Sequence, residues 1–204
     1  MIILDVEASG VSPEKNSIVS IGALDLEDPD NQFYDECRVW DGAHISDEAL
    51  AVNGFTKEEI IDETKKTEEE IVRAFIAWAT DMPLVRTLAG QNPSFDRDFI
   101  SAACRRAGID FPFAHRTIDT HTLAWMHMVK NGIIPPIANH RSALNLDMIL
   151  NYCGIPDEPE PHNALTGAYC HAEVVSRLLY RKPLLPEFAS YEMPWKEVLG
   201  DKNF

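Results

Sequence analysis

Two acidic residues close the first apolar segment of the chain, and they restrict its fold more than any other feature. Residues 1–6 are apolar and rich in β-forming residues, and Asp5 and Glu7 stand where this segment ends. In a strand, residues i and i+2 project to the same side, so these two carboxylates lie side by side. On a central, buried strand such a pair is unfavourable unless something neutralises it, and a divalent cation does so directly. The alternative is a strand end whose acids simply face solvent.

The residues that follow predict two more strands. Residues 17–26 alternate as a strand does, and residues 32–40 resemble a third strand. Turn-forming residues at 12–16 and 28–31 separate them. The first forty residues therefore predict a three-stranded antiparallel meander.

Helices dominate the rest of the chain. Two segments that begin at Thr56 and Thr67 have the capping-box spacing of Thr and Glu three residues apart. The second opens a helix with an apolar face, and a short strand is expected at 84–90. Further helices are predicted at 94–107, 118–130, 142–153 and 163–181. We expect one α/β domain over residues 1–182, with residues 183–204 as an irregular tail packed on it.

Charge and composition narrow the function. The net charge is −15, from 33 acidic and 18 basic residues, whereas proteins that grip long nucleic acids usually carry a basic face. If the chain acts on nucleic acid, it is expected to take short pieces or chain ends. No apolar run approaches the roughly 18–20 residues of a membrane span, and the short apolar start has no basic flank. Because the four cysteines form no CxxC pair, we expect free thiols and a cytoplasmic protein.

Two further features could complete a site with Asp5 and Glu7. Asp96 falls in the first turn of a predicted helix that follows a strand, so it is either a third carboxylate or only a favourable helix start. His162 stands where a loop meets the helix at 163–181, a position suited to a general base. A capping or surface histidine is the alternative.

Together these features resemble the DEDDh branch of the DEDD exonuclease superfamily, over about residues 1–182. That branch includes the proofreading subunit of bacterial replicative polymerase, RNase T and oligoribonuclease. Segments 18–23, 52–55, 118–120 and 142–146 match further landmarks of the family. The three motifs are Asp5-x-Glu7-x-x-Gly10, then Asn92-x-x-Phe95-Asp96-x-x-Phe99, and last His162-x-Ala164-Leu165.

The resemblance implies a fold and a mechanism. The fold is RNase H-like, with a central mixed five-stranded sheet, three strands antiparallel and then parallel, flanked by helices. The activity is 3′→5′ exonuclease hydrolysis with two divalent ions, Mg²⁺ or Mn²⁺. Asp5, Glu7 and Asp96 would hold the metals, and His162 would accept the proton of the attacking water.

The resemblance also implies the substrate. It would be the 3′ end of single-stranded RNA or DNA, including short oligonucleotides, released as nucleoside 5′-monophosphates. A homodimer is expected by analogy alone. The expected substrate contacts are Ala8, Ser9, Gly10, Phe55, Asn92 and Phe95. For the two phenylalanines, packing in the protein core is the alternative role.

One position departs from the family. An aspartate is expected five residues after the motif histidine, and Gly167 stands there. His171, one turn later on the same helix face, could reach back as a metal ligand, and Glu173 is a weaker candidate. Alternatively the site works with three carboxylates and water. A catalytically disabled protein, whether natural or altered, that binds nucleic-acid ends or a protein partner is the competing function.

Overall fold

A mixed five-stranded sheet forms the centre of the computed structural model, which describes residues 1–81 and 85–195. The strand order is β3-β2-β1-β4-β5. The first three strands are antiparallel neighbours, and β4 and β5 continue in parallel from β1, which confirms the predicted sheet. The strands are β1 (Ile2–Ala8), β2 (Ile18–Asp25), β3 (Asp28–Glu36), β4 (Leu88–Gly90) and β5 (Ile118–Asp119).

Seven helices surround the sheet within the described part of the chain. The helix formed by Lys57–Ile60 carries the predicted capping box, in which Thr56 and Glu59 bond each other's backbone. The same arrangement links Thr67 and Glu70. In chain order the helices are α1 (Asp47–Asn53), α2 (Lys57–Ile60), α3 (Glu68–Asp81), α4 (Pro93–Ala107), α5 (Thr120–Lys130), α6 (Leu146–Cys153) and α7 (Ala164–Tyr180).

Several predicted boundaries were wrong for local reasons. The strand predicted at 32–40 begins at Asp28, because a two-residue turn lets Asp28 pair with Asp25. The helix predicted at 142–153 begins at Leu146, because the Asn145 side chain accepts a hydrogen bond from the Met148 amide at 3.0 Å.

Two other predicted elements are shorter than expected. Residues 118–119 extend the sheet before α5, since Asp119 caps that helix through the His121 amide. The strand predicted at 84–90 is observed only at Leu88–Gly90, and residue 84 lies outside the described residues. In addition, Ile137–Ala138 and Arg141–Ser142 form a small hairpin, β6 and β7.

The two faces of β1 contact different helices. Ile2, Leu4 and Val6 pack in the core cluster that contains residues of α3 and α4. Ile3, between them, packs with Ala168 and Ala172 of α7. By strand alternation, Asp5 and Glu7 share the face of Ile3 and therefore point toward α7.

The N-terminal end of α7 lies unusually close to the sheet. A Cβ atom on Gly22 of β2 would fall 2.1 Å from the Ala164 backbone, so only glycine permits this approach. The end of the chain is also attached to α7, because the Leu184 and Leu185 amides donate to Glu173. Residues 196–204 of the predicted tail lie outside the described residues. Among residues 1–81 and 85–195, no helix has the length and apolar character needed to cross a membrane.

Candidate active site

The predicted carboxylates meet at the carboxyl end of β1. Asp5 pairs with Gly22 and Glu7 with Ser20 of β2, while β4 flanks the start of the strand on the other side. A bulge follows between Glu7 and Ala8, where the ladder loses its register. Both acids therefore stand on the central strand of the sheet, half-buried and on the side of α7.

Asp96 reaches the same point from α4. Its side chain is 3% exposed, and its Oδ1 atom accepts a hydrogen bond from the Val6 amide at 2.9 Å. Val6 is the residue between Asp5 and Glu7, so this bond fixes the third acid beside the first two. Asn92, with φ 48°, precedes Pro93 and starts the helix that presents Asp96.

Burial and mutual repulsion make these acids hard to ionise. Desolvation raises the pKa of Asp5 well above its ordinary value, and the charges of Asp96, Glu7 and Glu158 raise it further. Burial, and then the charge of Glu158, raises the pKa of Glu7 to about 7. Burial raises the pKa of Asp96 to about 8, against the lowering effect of backbone hydrogen bonds. A nearby cation would favour the ionised forms of all these groups.

His162 stands at the entrance to α7, beside the carboxylates. The Asn163 side chain caps the helix by accepting from the Leu165 amide at 3.0 Å, which sets where the loop ends. The charge of His162 lowers the pKa of Glu7 and of Glu158, so the imidazole faces both acids. It also lines an open depression of about 490 Å³ together with Asp147 and Glu160.

Gly167 faces Asp5 directly. A Cβ atom at this position would fall 2.3 Å from Asp5 Oδ2 and 3.2 Å from Glu158 Oε1. The missing side chain therefore makes room for two carboxylates. Glu158 was not anticipated from the sequence, because it lies in the loop before α7, outside every motif.

His171 lies elsewhere in the fold. Its side chain is 2% exposed and lies near the Leu4 carbonyl and Gly90, where a Cβ atom would be 3.1 Å from Nδ1. Burial lowers the pKa of this histidine to about 4. The neighbours that shift the pKa values of Asp5, Glu7 and Asp96 do not include it. The assignment of His171 as a metal ligand stays a prediction. The location of this side chain away from the carboxylates does not favour it.

Glu173 belongs to the protein interior. Its Oε1 atom accepts from Arg177 Nε at 2.6 Å, and both side chains are fully buried. Its Oε2 atom accepts from the amides of Leu184 and Leu185. With both oxygens engaged, Glu173 has a structural role and is not free to bind a metal.

The expected substrate contacts after β1 are largely occupied by the protein itself. The Ser9 side chain is buried, its hydroxyl donates to the His44 carbonyl, and its amide donates to the Ser17 carbonyl. The Ala8 carbonyl accepts from Asn53. A Cβ atom on Gly10 would meet the Asn16 side chain at 2.3 Å. These residues build the bulge, and direct contact with a nucleotide stays a prediction.

Of the remaining expected contacts, Phe55 and Phe95 are half-buried and Asn92 is exposed. Phe55 packs beside the cluster that contains Leu50, and the Lys65 ammonium lies 5.1 Å from its ring centre. Phe95 contacts Phe99 with ring centres 4.8 Å apart. The Asn92 amide donates to Asp119 at 3.1 Å. Core packing covers much of the Phe55 and Phe95 rings, and contact of either ring with substrate stays a prediction.

The donor chemistry fits a hard divalent cation, although the side chains are not arranged around one. Within residues 1–81 and 85–195, no group of three or more His, Cys, Asp or Glu side chains is positioned to hold a metal ion as it stands. Carboxylate oxygens are nevertheless the ligands that Mg²⁺ and Mn²⁺ prefer. Among the described buried side chains, Glu158 Oε1 is one of four polar atoms without a hydrogen-bond partner. The carboxylates of Asp5, Glu7, Asp96 and Glu158 therefore have the ligand chemistry of such an ion, and one of their oxygens is unsatisfied.

The sheet order, with carboxylates on its central strand, is that of the RNase H-like fold. The family model described as Exonuclease, of the RNase T type, matches residues 2–174, so the chain belongs to that exonuclease family. The resemblance to DEDDh exonucleases inferred from the motifs is thereby confirmed.

Individual relatives are distant. The PolC-type DNA polymerase III of Thermotoga petrophila is 28% identical over 126 residues, which are 60% of this chain but only 8% of the polymerase. The chain thus corresponds to less than a tenth of that protein. Ribonuclease T of Yersinia pseudotuberculosis is 26% identical over 199 residues, with 88% of this chain and 84% of the ribonuclease covered.

Solved structures support the fold. The nuclease domain of 3′hExo, a DEDDh family member bound to rAMP, superposes with a TM-score of 0.67 at 19% identity. The match covers 90% of this chain and 93% of that domain. Exonuclease I of E. coli in complex with a dA16 oligonucleotide gives a TM-score of 0.67 at 17% identity, over 88% of this chain and 41% of the other.

Proposed function

We propose that this chain is a metal-dependent 3′→5′ exonuclease that shortens single-stranded RNA or DNA and releases nucleoside 5′-monophosphates. The observation that carries the proposal is the hydrogen bond from the Val6 amide to Asp96. It holds a carboxylate from α4 beside those of Asp5 and Glu7, and the charge of His162 acts on the same group of acids. Among relatives, Ribonuclease T is named for RNA, and exonuclease I was solved with a DNA oligonucleotide.

The carboxylates and the histidine have separate roles in this proposal. Asp5, Glu7 and Asp96 would hold two divalent ions, Mg²⁺ or Mn²⁺, which would activate water and stabilise the leaving oxygen when bound. His162 accepts a proton as the water oxygen attacks the terminal phosphorus. The bond between phosphorus and the 3′ oxygen of the preceding nucleotide breaks, and that oxygen takes up a proton from solvent to become the new 3′ hydroxyl. The terminal nucleotide leaves with its 5′ phosphate.

The surroundings of the site favour strand ends over long duplexes. The net charge of −15 supplies no general attraction for a phosphate backbone. The depression of about 490 Å³ beside His162 is within the size range of small-ligand sites. We infer that one terminal nucleotide enters there, with contacts near Ala8 and Phe95. The cysteines of the described residues are unpaired and buried, which supports a cytoplasmic location.

A second candidate function rests on Gly167. A nuclease fold without the expected aspartate could bind nucleic-acid ends or a protein partner without cleaving them. Mass spectrometry of the products from single-stranded RNA and DNA, with Mg²⁺ and Mn²⁺ in parallel, separates the two functions. Nucleoside 5′-monophosphates that disappear with EDTA support the exonuclease. Intact strands under every condition support the binding module.

A further inference from the structure

Glu158 is the acid that neither the motifs nor the helix periodicity single out. It lies in the loop between α6 and α7, nine residues before Gly167, among three prolines at positions 156, 159 and 161. Its side chain is 9% exposed, and Oε1 has no hydrogen-bond partner. A carboxylate so deeply buried is unfavourable unless a charge or donor compensates it.

The unpartnered oxygen points toward the carboxylates of β1. Glu158 Oε1 lies 3.2 Å from the position that a Cβ atom on Gly167 would occupy, and Asp5 Oδ2 lies 2.3 Å from the same point. Both oxygens therefore converge on the surface of α7 where the glycine leaves space. The nearby Asn163 backbone and Thr166 side chain orient the carboxyl group.

We propose that Glu158 is the fourth metal-binding carboxylate of this chain, and that it occupies from the loop the place that an aspartate at position 167 would take. This proposal rests on the proposed function, because it assumes that Asp5, Glu7 and Asp96 bind divalent ions. Gly167 then has a specific purpose. A larger residue would collide with Asp5 and narrow the space that Glu158 fills.

In this proposal, the carboxylate of Glu158 and that of an aspartate at position 167 would occupy the same space, although the two positions are nine residues apart. An aspartate at 167 would extend from α7 toward Asp5 by a short side chain. Glu158 comes from the loop side and has one more methylene group, so its carboxylate can reach the same space without a Cβ atom on the helix. The two arrangements exclude each other, because both need the volume between Asp5 and α7.

Mn²⁺ binding measured by titration calorimetry, without nucleic acid, tests the proposal. The variant is Glu158→Gln, which keeps the shape and removes the charge. Asp157→Asn is the matched control, since Asp157 is exposed and its Oδ1 atom accepts from Asn151 at 2.8 Å, a bond that asparagine can keep. Circular dichroism in EDTA verifies that each variant is folded.

The expected result is a loss of Mn²⁺ affinity of about tenfold or more in Glu158→Gln, because removing even a group that only supports a ligand costs about 10–100-fold. Asp157→Asn should bind as the unmodified chain does. Equal affinity of Glu158→Gln and the unmodified chain would overturn the assignment. If Asp5→Asn abolishes binding while Glu158→Gln retains it, only this inference fails. If the unmodified chain binds no Mn²⁺, the proposed function fails with it.

A swap of the two acids tests whether they share one place. Gly167→Asp alone should weaken Mn²⁺ binding, because the new side chain and Glu158 compete for the same space beside Asp5. The double variant Glu158→Ala with Gly167→Asp should bind Mn²⁺ more tightly than Glu158→Ala alone. Such non-additivity is the expected behaviour of residues that contact the same space. A double variant no better than Glu158→Ala would overturn the shared position.

Discussion

Gly167 and Asp5 are placed so that a single added carbon on the glycine would fall 2.3 Å from Oδ2 of the aspartate. No carbon approaches an oxygen so closely without displacement, so Asp5 keeps its present position only opposite glycine. Glycine within a helix normally costs about 1 kcal/mol relative to alanine. At position 167, the glycine lowers helix stability but leaves space for the carboxylates on the central strand.

Gly167→Ala therefore separates stability from function. Alanine favours the helix by about 1 kcal/mol, and the displacement of Asp5 offsets that gain, so the free energy of unfolding should change little. Mn²⁺ affinity and strand hydrolysis should both fall, because Asp5 must rotate away from the new methyl group. Chemical denaturation and calorimetry measure the two effects. Unchanged Mn²⁺ affinity would show that the position of Asp5 is not critical.

Asp96 should be essential where its neighbour on the same helix is not. Asp96→Asn removes the carboxylate that accepts from the Val6 amide, and we expect hydrolysis to fall by about 10²-fold or more. Asp98→Asn is the matched control, because Asp98 is 54% exposed and paired with Arg97 at 2.7 Å. The two variants are compared by their rates of hydrolysis of a labelled single strand in saturating Mn²⁺. Similar losses in both variants would point to α4 stability rather than to the site.

His162→Gln should reduce the rate of the chemical step without removing the metals. General-base catalysis typically contributes about 10²–10⁴-fold, so kcat should fall within that range. Mn²⁺ affinity should remain within a few-fold, because His162 is not among the proposed ligands. His115→Gln, at an exposed position, is the control. A His162→Gln variant with unchanged kcat would require another proton acceptor.

Glu173→Gln should damage the fold and spare the site. Glu173 forms a fully buried ion pair with Arg177 and accepts from the Leu184 and Leu185 amides. Breaking a buried pair by removing one charge typically costs about 3–5 kcal/mol, so we expect a clear loss of stability by denaturant unfolding. The folded fraction should bind Mn²⁺ as the unmodified chain does. Weakened binding with intact stability would return Glu173 to the list of metal ligands.

Without metal, the protein should lose stability between pH 6.5 and 8.5. Burial raises the pKa of Glu7 to about 7 and that of Asp96 to about 8. An acid with a raised pKa holds its proton more tightly when folded, so its stabilising effect is present at low pH. That effect is lost as the pH rises through the folded pKa. His171, with its pKa lowered to about 4, opposes this trend only below about pH 6.5.

Thermal unfolding in EDTA across this window measures the effect. The melting temperature should fall from pH 6.5 to 8.5, and Mg²⁺ should restore much of it at the upper end, because bound cations stabilise the folded state. The melting temperature of the Asp96→Asn variant should depend less strongly on pH. A melting temperature that rises with pH in the metal-free protein would contradict the described crowding of carboxylates.

The three-stranded meander and the candidate residues Asp5, Glu7, Asp96 and His162 followed from spacing and motif, whereas the mixed five-stranded sheet was expected from the family resemblance. The spacing and motif features are local, since strand alternation and helix starts can be recognised within a few residues. Glu158 could not be found this way, because its approach to Gly167 depends on the path of a proline-containing loop. The signal available was the run of acids directly before His162 in the sequence.

Other differences between the expected and the observed site arose from contacts between segments that are distant in sequence. The burial of Ser9 depends on His44 and Ser17, and the position of His171 depends on Leu4 and Gly90. Helix periodicity correctly places His171 one turn after Gly167. It does not show that the neighbouring strand β4 lies beneath the ring, and that contact takes the imidazole away from the acids.

The most direct test of the account is the time course of a 5′-labelled single strand incubated with the protein and Mn²⁺, with Asp5→Asn as control. We expect a ladder of products that shortens one nucleotide at a time from the 3′ end, for RNA or DNA, and that is absent in EDTA and in the Asp5→Asn variant. A strand that stays at full length with every metal, or an Asp5→Asn variant that cleaves as fast as the unmodified chain, would contradict it.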